Sequence, residues 1–221
     1  MSRRTLVYLH GFASSGQSSK GIALAAHASK QGLQVLTPDL NLPEFSSLTI
    51  SRMLDQVREL TAGVDGPVTL IGSSLGAIVA LFSAASLARH SGHQAVDTVV
   101  LMAPAVDLVA DLTRHFGEAG LREWEQTGAV EVFHYAYQER RLLRWDFFAD
   151  ARRYDVWTVE TPLPTLVFQG MRDEVVNPET VRQWAEARAT VTLHLLDDGH
   201  QLSASVDAMW QILVRFLSVT A

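Results

Sequence analysis

Three short motifs in this 221-residue chain have the residue types and spacing for covalent chemistry: a serine between glycines, an aspartate behind a strand, and a histidine after an acidic pair. Gly72-Ser73-Ser74-Leu75-Gly76 follows a short apolar run, Val68 to Ile71, and opens a helical pattern, Ala77 to Arg89. A strand that turns straight into a helix holds its middle residue in a strained conformation at the sheet's edge, and the flanking glycines let neighbouring backbone pass close by. Ser74 Oγ is thereby exposed. The Leu75 amide beside it sits at a helix N-terminus, where the dipole favours developing negative charge. The five-residue pattern is weak alone and gains its weight from the strand before it and the helix after it.

A serine hydroxyl needs a base. Of eight histidines, His200 in Asp197-Asp198-Gly199-His200 lies just past the last predicted strand and before the final helix, at the same carboxyl edge as Ser74. His194 falls inside that strand and reads as packed; His90 and His93 lie at a polar helix end without a third ligand and read as solvated, not as a metal pair. The base in turn needs an acid to fix its tautomer. Gly170-Met171-Arg172-Asp173-Glu174-Val175-Val176 follows the fifth strand, which brings Asp173 to the same edge, with Glu174 as its nearest rival. Asp197 and Asp198 are too close to His200 along one loop to reach its Nδ1 while the other ring nitrogen faces Ser74. The first strand ends in His10-Gly11-Phe12-Ala13, and the Phe12 amide is the natural second oxyanion donor beside Leu75. Ser74 then Asp173 then His200 is the chain order of nucleophile-elbow hydrolases.

The elements that must position these groups are legible as periodicity. Six β-branched runs recur, Thr5 to Leu9, Gln34 to Thr37, Val68 to Ile71, Thr98 to Met102, Thr165 to Gln169 and Thr192 to Leu196, without the clean alternation of half-exposed strands. Between them, Ile50, Met53, Leu54 and Val57, and later Met209, Ile212, Leu213 and Phe216, repeat at helical spacing. This alternation predicts one α/β domain over 1–221, a mostly parallel sheet of about six strands flanked by helices. Residues 103–164 are too many for one crossover, so approximately 106–160 should form a helical cap or lid inserted over the carboxyl edge. That segment carries ten of the 18 aromatic residues, and Trp145, Phe148 and Phe133 are its candidate substrate contacts. Arg140, Arg141, Arg144, Arg152 and Arg153 crowd it too, either as a solvated face or to steer an anionic substrate.

Composition sets the outer limits. A net charge of −6 argues against nucleic acid or an anionic membrane as the main partner, and the absence of cysteine excludes disulfides and thiolate chemistry. Gly66 to Ala88 carries no charge over 23 residues, but Pro67, Gly72, Ser73, Ser74 and Gly76 break it, so no membrane span is expected and a cytoplasmic location is the default.

Together His10-Gly11-Phe12, the Gly72 to Gly76 elbow with its double serine, Gly170-x-x-Asp173-x-x-Val176 and Gly199-His200 resemble the α/β-hydrolase superfamily, and within it the small bacterial YqiA-like esterases. The likeness is closest at Tyr8-Leu9-His10-Gly11-Phe12-Ala13-Ser14-Ser15 and covers nearly the whole chain except the aromatic insertion. It implies a trimmed α/β-hydrolase fold starting at the third strand of the usual eight, and a cofactor-free, metal-free esterase or thioesterase with Ser74, Asp173 and His200 as triad. Ala77 stands where such members often carry another glycine. The expected reaction is cleavage of a small-molecule carboxylic ester of small to medium acyl chain, by a monomer or homodimer. A thioesterase, then an amidase or peptidase, are the alternatives in chemistry. A noncatalytic ligand-binding protein of the same fold is the alternative in kind.

Overall fold

The computed structural model describes residues 4–88, 96–160 and 162–220; His90 and His93 lie outside them. Six strands form one wholly parallel sheet: β1 (Thr5–Leu9), β2 (Gln34–Leu36), β3 (Val68–Ser73), β4 (Val96–Met102), β7 (Thr165–Gly170) and β8 (Val191–Leu196). Their order across the sheet is β2-β1-β3-β4-β7-β8. The chain therefore reverses its direction of travel between β1 and β3, and the loops leaving these two strands meet at that switch point.

Side chains alternate between two cores, as the two-residue period of a strand requires. Val7, Leu9, Leu70, Leu101 and Val167 point to one face. There they meet α2 (Ile50–Ala62), α3 (Leu75–Ala88) and α6 (Pro178–Glu186) through Met53, Val57, Ile78, Val181 and Trp184. Leu6, Tyr8, Ile71, Val100 and Phe168 point to the other face, against α1 (Ser19–Lys30) and α7 (Val206–Thr220) through Leu24, Met209, Trp210 and Leu213. Helix α3 packs on β1, β3 and β4 and is flanked by α2, and this burial is why it reads as apolar all round. Cutting Ile78 back to alanine there should cost about 2–5 kcal/mol.

The insertion between β4 and β7 is not wholly helical. It holds α4 (Leu108–Thr127), broken at Gly117, then an antiparallel hairpin of β5 (Ala129–His134) and β6 (Glu139–Arg144), then α5 (Asp146–Ala151). Trp124 is its anchor, fully buried, with its indole N–H donating to the Leu143 carbonyl at 3.0 Å and its ring against Trp145 and Phe148. Asp150 ties the insertion to α2 by accepting from the Ser51 amide at 2.8 Å and its hydroxyl at 2.6 Å. Among the described residues no helix is long and apolar enough to cross a membrane.

Candidate active site

Ser74 sits between β3 and α3 with φ of 54°, the left-handed conformation that a side chain larger than glycine rarely adopts. Two backbone bonds fix it there: its amide donates to the Met102 carbonyl at 2.9 Å, and its carbonyl accepts from the Ala77 amide at 3.0 Å. The end of β1 passes close behind this turn only because Gly76 has no side chain. A Cβ there would stand 2.1 Å from the Leu9 carbonyl oxygen and 2.6 Å from that of His10. The same closeness brings the His10-Gly11-Phe12 loop against the serine, since a Cβ on Gly11 would lie 3.3 Å from Ser74 Cβ.

Asp173 and His200 arrive on the loops after β7 and β8. These loops are laced together: the Met171 amide donates to the Leu196 carbonyl at 2.8 Å and the Arg172 amide to the Asp198 carbonyl at 2.9 Å. Gly170 permits the approach, because a Cβ there would stand 2.5 Å from the Asp198 carbonyl oxygen. The result is a hydrogen bond of 2.9 Å from His200 Nδ1 to Asp173 Oδ2. The Asp173 side chain is fully buried and the His200 ring is 14% exposed.

Every lone-pair direction of that carboxylate is answered. Oδ1 accepts from the Val175 and Val176 amides, each at 2.9 Å, and Oδ2 from Gln169 Nε2 at 3.0 Å. Burial works to raise the Asp173 carboxyl, but bonds from His200, the Val176 amide and Gln169 outweigh it and hold the group below the ordinary carboxylate value. Such a carboxylate stays ionised, takes the Nδ1–H of the imidazole, and leaves Nε2 as acceptor. Ser74 Oγ makes no hydrogen bond to that ring among the described residues.

The two expected amide donors belong to Leu75, next to Ser74 in the chain, and to Phe12, next to the Gly11 that approaches it. Neither the Phe12 nor the Leu75 N–H has an acceptor among the described residues, although almost all backbone donors in a folded protein are paired. The Phe12 ring is wedged between Phe45, at 5.6 Å between centroids, and Phe147 of α5, at 5.3 Å. The hairpin docks on the same loop, the Tyr135 amide donating to the Ala13 carbonyl at 2.9 Å. Trp145 and Phe148 pack on each other and on Trp124, while Phe133 stands 41% exposed on the hairpin beside Tyr135. The arginines of the insertion are largely paired: Arg141 with Glu139, Arg153 with Asp150 and Arg144 with Glu44.

Over residues 5–217 the chain matches the model of an uncharacterised protein family, UPF0227. It belongs to that family. No curated protein matches this UPF0227 member in sequence. Its fold is that of the α/β-hydrolases. A protein of Agrobacterium vitis S4 assigned as a hydrolase superposes with a TM-score of 0.82 at 25% identity, over 97% of this chain and 88% of that one. Mouse alpha/beta hydrolase domain-containing protein 10 gives 0.78 at 19% identity, over 98% and 90%. Est1E of Butyrivibrio proteoclasticus, in a structure with bound ferulic acid, gives 0.77 at 16%, over 97% and 90%. The family and the trimmed six-stranded fold expected from the motifs are thus both found in the UPF0227 chain.

Three groups at the site escaped the motifs. Gln169 is a fully buried amide in the apolar strand β7, Lys20 is a buried cation behind His200, and Phe147 touches the Phe12 ring from the insertion. A polar residue interrupting the run Thr165-Leu166-Val167-Phe168 was the available signal for Gln169. Asp111 of α4 also lies within electrostatic reach of Asp173 and His200, and burial pushes its carboxyl up.

Proposed function

We propose that this UPF0227 chain is a serine hydrolase of carboxylic esters, with Ser74 as nucleophile, His200 as base and Asp173 as the acid that orients it. The observation that carries the reading is the 2.9 Å Asp173–His200 bond at the same sheet edge as a serine held at φ of 54°. His200 Nε2 takes the proton of Ser74 as its oxygen bonds the acyl carbon, and the carbonyl electron pair moves onto oxygen facing the Phe12 and Leu75 amides. The pair returns, the alkoxide leaves with the proton from His200, and an acyl-serine remains. Water, deprotonated by His200, attacks that ester, and as the intermediate collapses to the acid His200 returns the proton to Ser74 Oγ.

In this reading residues 106–160 cap the single domain and contribute the acyl-binding wall. An open depression of about 430 Å³, lined by Val106, Leu108, Tyr154, Val156 and Trp157 with Asp107, Arg152 and Asp155 at its charged side, is the candidate seat for a small to medium acyl group. It begins one residue beyond Ala105, whose amide donates to the Ser74 carbonyl at 3.4 Å. Arg141, Arg144 and Arg153 of the insertion each face a carboxylate, which lessens the pull toward an acyl-CoA thioester.

The test is hydrolysis of p-nitrophenyl esters from acetate to palmitate, with Ser74→Ala as blank and acyl-CoA thioesters alongside. A maximum at short or medium chain that vanishes in Ser74→Ala is expected. Activity that survives in Ser74→Ala overturns the assigned nucleophile, and preference for the thioesters overturns the ester assignment.

A further inference from the structure

Only two of the 18 basic residues are lysines, and one of them, Lys20, is 6% exposed. A long cationic side chain is almost never buried without a partner. Its backbone cannot drift from the sheet. Ser18 caps α1 by accepting from the Gly21 amide at 3.3 Å, and its hydroxyl lies 3.0 Å from the Tyr8 hydroxyl. Gly21 presses so closely on Tyr8 that a Cβ there would meet the ring at 2.8 Å. From this fixed origin Lys20 reaches across the sheet edge, and Nζ donates to the backbone carbonyl of His200 at 3.4 Å.

The ammonium stands among carboxylates. Asp173 and Asp198 both act on it; Asp173 is bonded to the His200 ring, and Asp111 from α4 acts on that ring from a second element. Asp198 is 9% exposed and accepts from the Gly199 amide at 2.8 Å. The other charged groups nearby are already paired: Arg172 with Asp197 at the surface, Arg114 with Asp111, and His27 with Asp207 across a cavity of about 300 Å³ that Lys20 also lines. Burial draws Lys20 down to about 8, with Asp173 and Asp198 pulling the other way, so it remains charged at neutral pH. Uncompensated negative charge beside an imidazole favours the imidazolium, and an imidazolium cannot take a proton from serine.

We propose that Lys20 is a positioning residue whose ammonium offsets Asp173 and Asp198 and so keeps the His200 imidazole unprotonated and its loop in place. The inference rests on the reading of Ser74, Asp173 and His200 as a triad. Its chemistry is a static charge balance, with no group transferred.

The experiment is an NMR pH titration of the His200 ring, assigned by loss of its signal in His200→Gln, run beside the acid limb of p-nitrophenyl ester hydrolysis. Lys20→Met should move the ring midpoint and the acid limb upward together by about one pH unit, and Lys20→Arg should return them toward the native position. Asp198→Asn, which keeps the acceptor for Gly199, should move both downward. Because this second variant leaves Lys20 intact, the idea stays exposed to refutation even if Lys20→Met fails to fold. A folded variant of either residue whose ring midpoint stays in place overturns it. The ring titration needs no turnover. Opposite shifts in a protein without Ser74-dependent hydrolysis would therefore support the charge balance and sink the hydrolase reading instead.

Discussion

The carboxyl edge of the sheet and the insertion above it are built on opposite plans. At the edge, polar atoms are few and buried, and the central carboxylate is fully answered: Asp173 accepts four donors, and the loops carrying Asp173 and His200 are locked by backbone bonds and by the bare Gly170. In the insertion, aromatic rings are many and divided between two tasks. Trp124, Phe147 and Phe148 are buried and hold the segment together, while Phe133, Tyr135, Tyr137 and Trp157 stand 40% or more exposed. The edge is preorganised for charge, which changes during a reaction. The insertion presents shape and apolar surface, which choose what reacts.

The sharpest way to break this division is at Asp173. Asp173→Asn keeps an acceptor for the Val175 and Val176 amides but presents an amide to the imidazole and inverts its tautomer. It should lower kcat for esters by about 10⁴-fold. Acid unfolding reads the same carboxylate. Its folded-state value lies below that of the unfolded chain, so its stabilisation is full above about pH 4. That stabilisation is lost as pH falls through the folded value, and Asp173→Asn should lose this part of the acid transition. A variant that keeps native kcat would end the triad reading.

Trp124→Ala tests the other plan. Emptying the anchor of the insertion should cost about 3–5 kcal/mol in denaturant unfolding. If the insertion is a separate cap over a rigid edge, Ser74 should still react with a fluorophosphonate in the folded fraction. Loss of labelling at full folding would mean that the cap also builds the edge.

Gln169→Leu should have a smaller effect. It removes one charge-assisted bond to Asp173 and retains the apolar packing of β7. About a tenfold fall in kcat with little change in KM is expected from steady-state kinetics. A change in KM alone would place Gln169 at the substrate and not behind the carboxylate.

The same division explains what could be read from the sequence. The four central strands β1, β3, β4 and β7 are visible as apolar runs because burial on both faces leaves an unbroken signal, and the half-exposed edge strands β2 and β8 show by their β-branched and aliphatic residues. The elbow and the Asp173 and His200 loops announce themselves through glycines that backbone contact demands. The hairpin in the insertion hides behind its arginines. Ala129 to His134 alternates, but Glu139 to Arg144 buries only Leu143, and five charged or exposed residues around it look like a solvated helix or loop. Gln169 and Lys20 are invisible for another reason: a buried polar residue acquires its meaning from a partner distant in sequence, and Lys20 lies 180 positions from His200.

The smallest effect tests the exposed rings. Phe133 and Tyr135 pack edge to face on the hairpin, at 5.3 Å between centroids, while the Tyr135 amide holds the loop that carries Phe12. Exposed side chains away from the core contribute little to folding, so Phe133→Ser and Tyr135→Ser should stay within about 0.5 kcal/mol of the native stability. Their backbone contact with Ala13 survives the substitution, so acetate hydrolysis should be unaffected. Longer acyl chains are where a difference would emerge, because only they extend beyond the serine toward the insertion. A selective fall in kcat/KM for such esters would make the hairpin a substrate wall. An unchanged ladder would leave the rings as outer surface and confine selection to the depression lined by Val106, Tyr154 and Trp157.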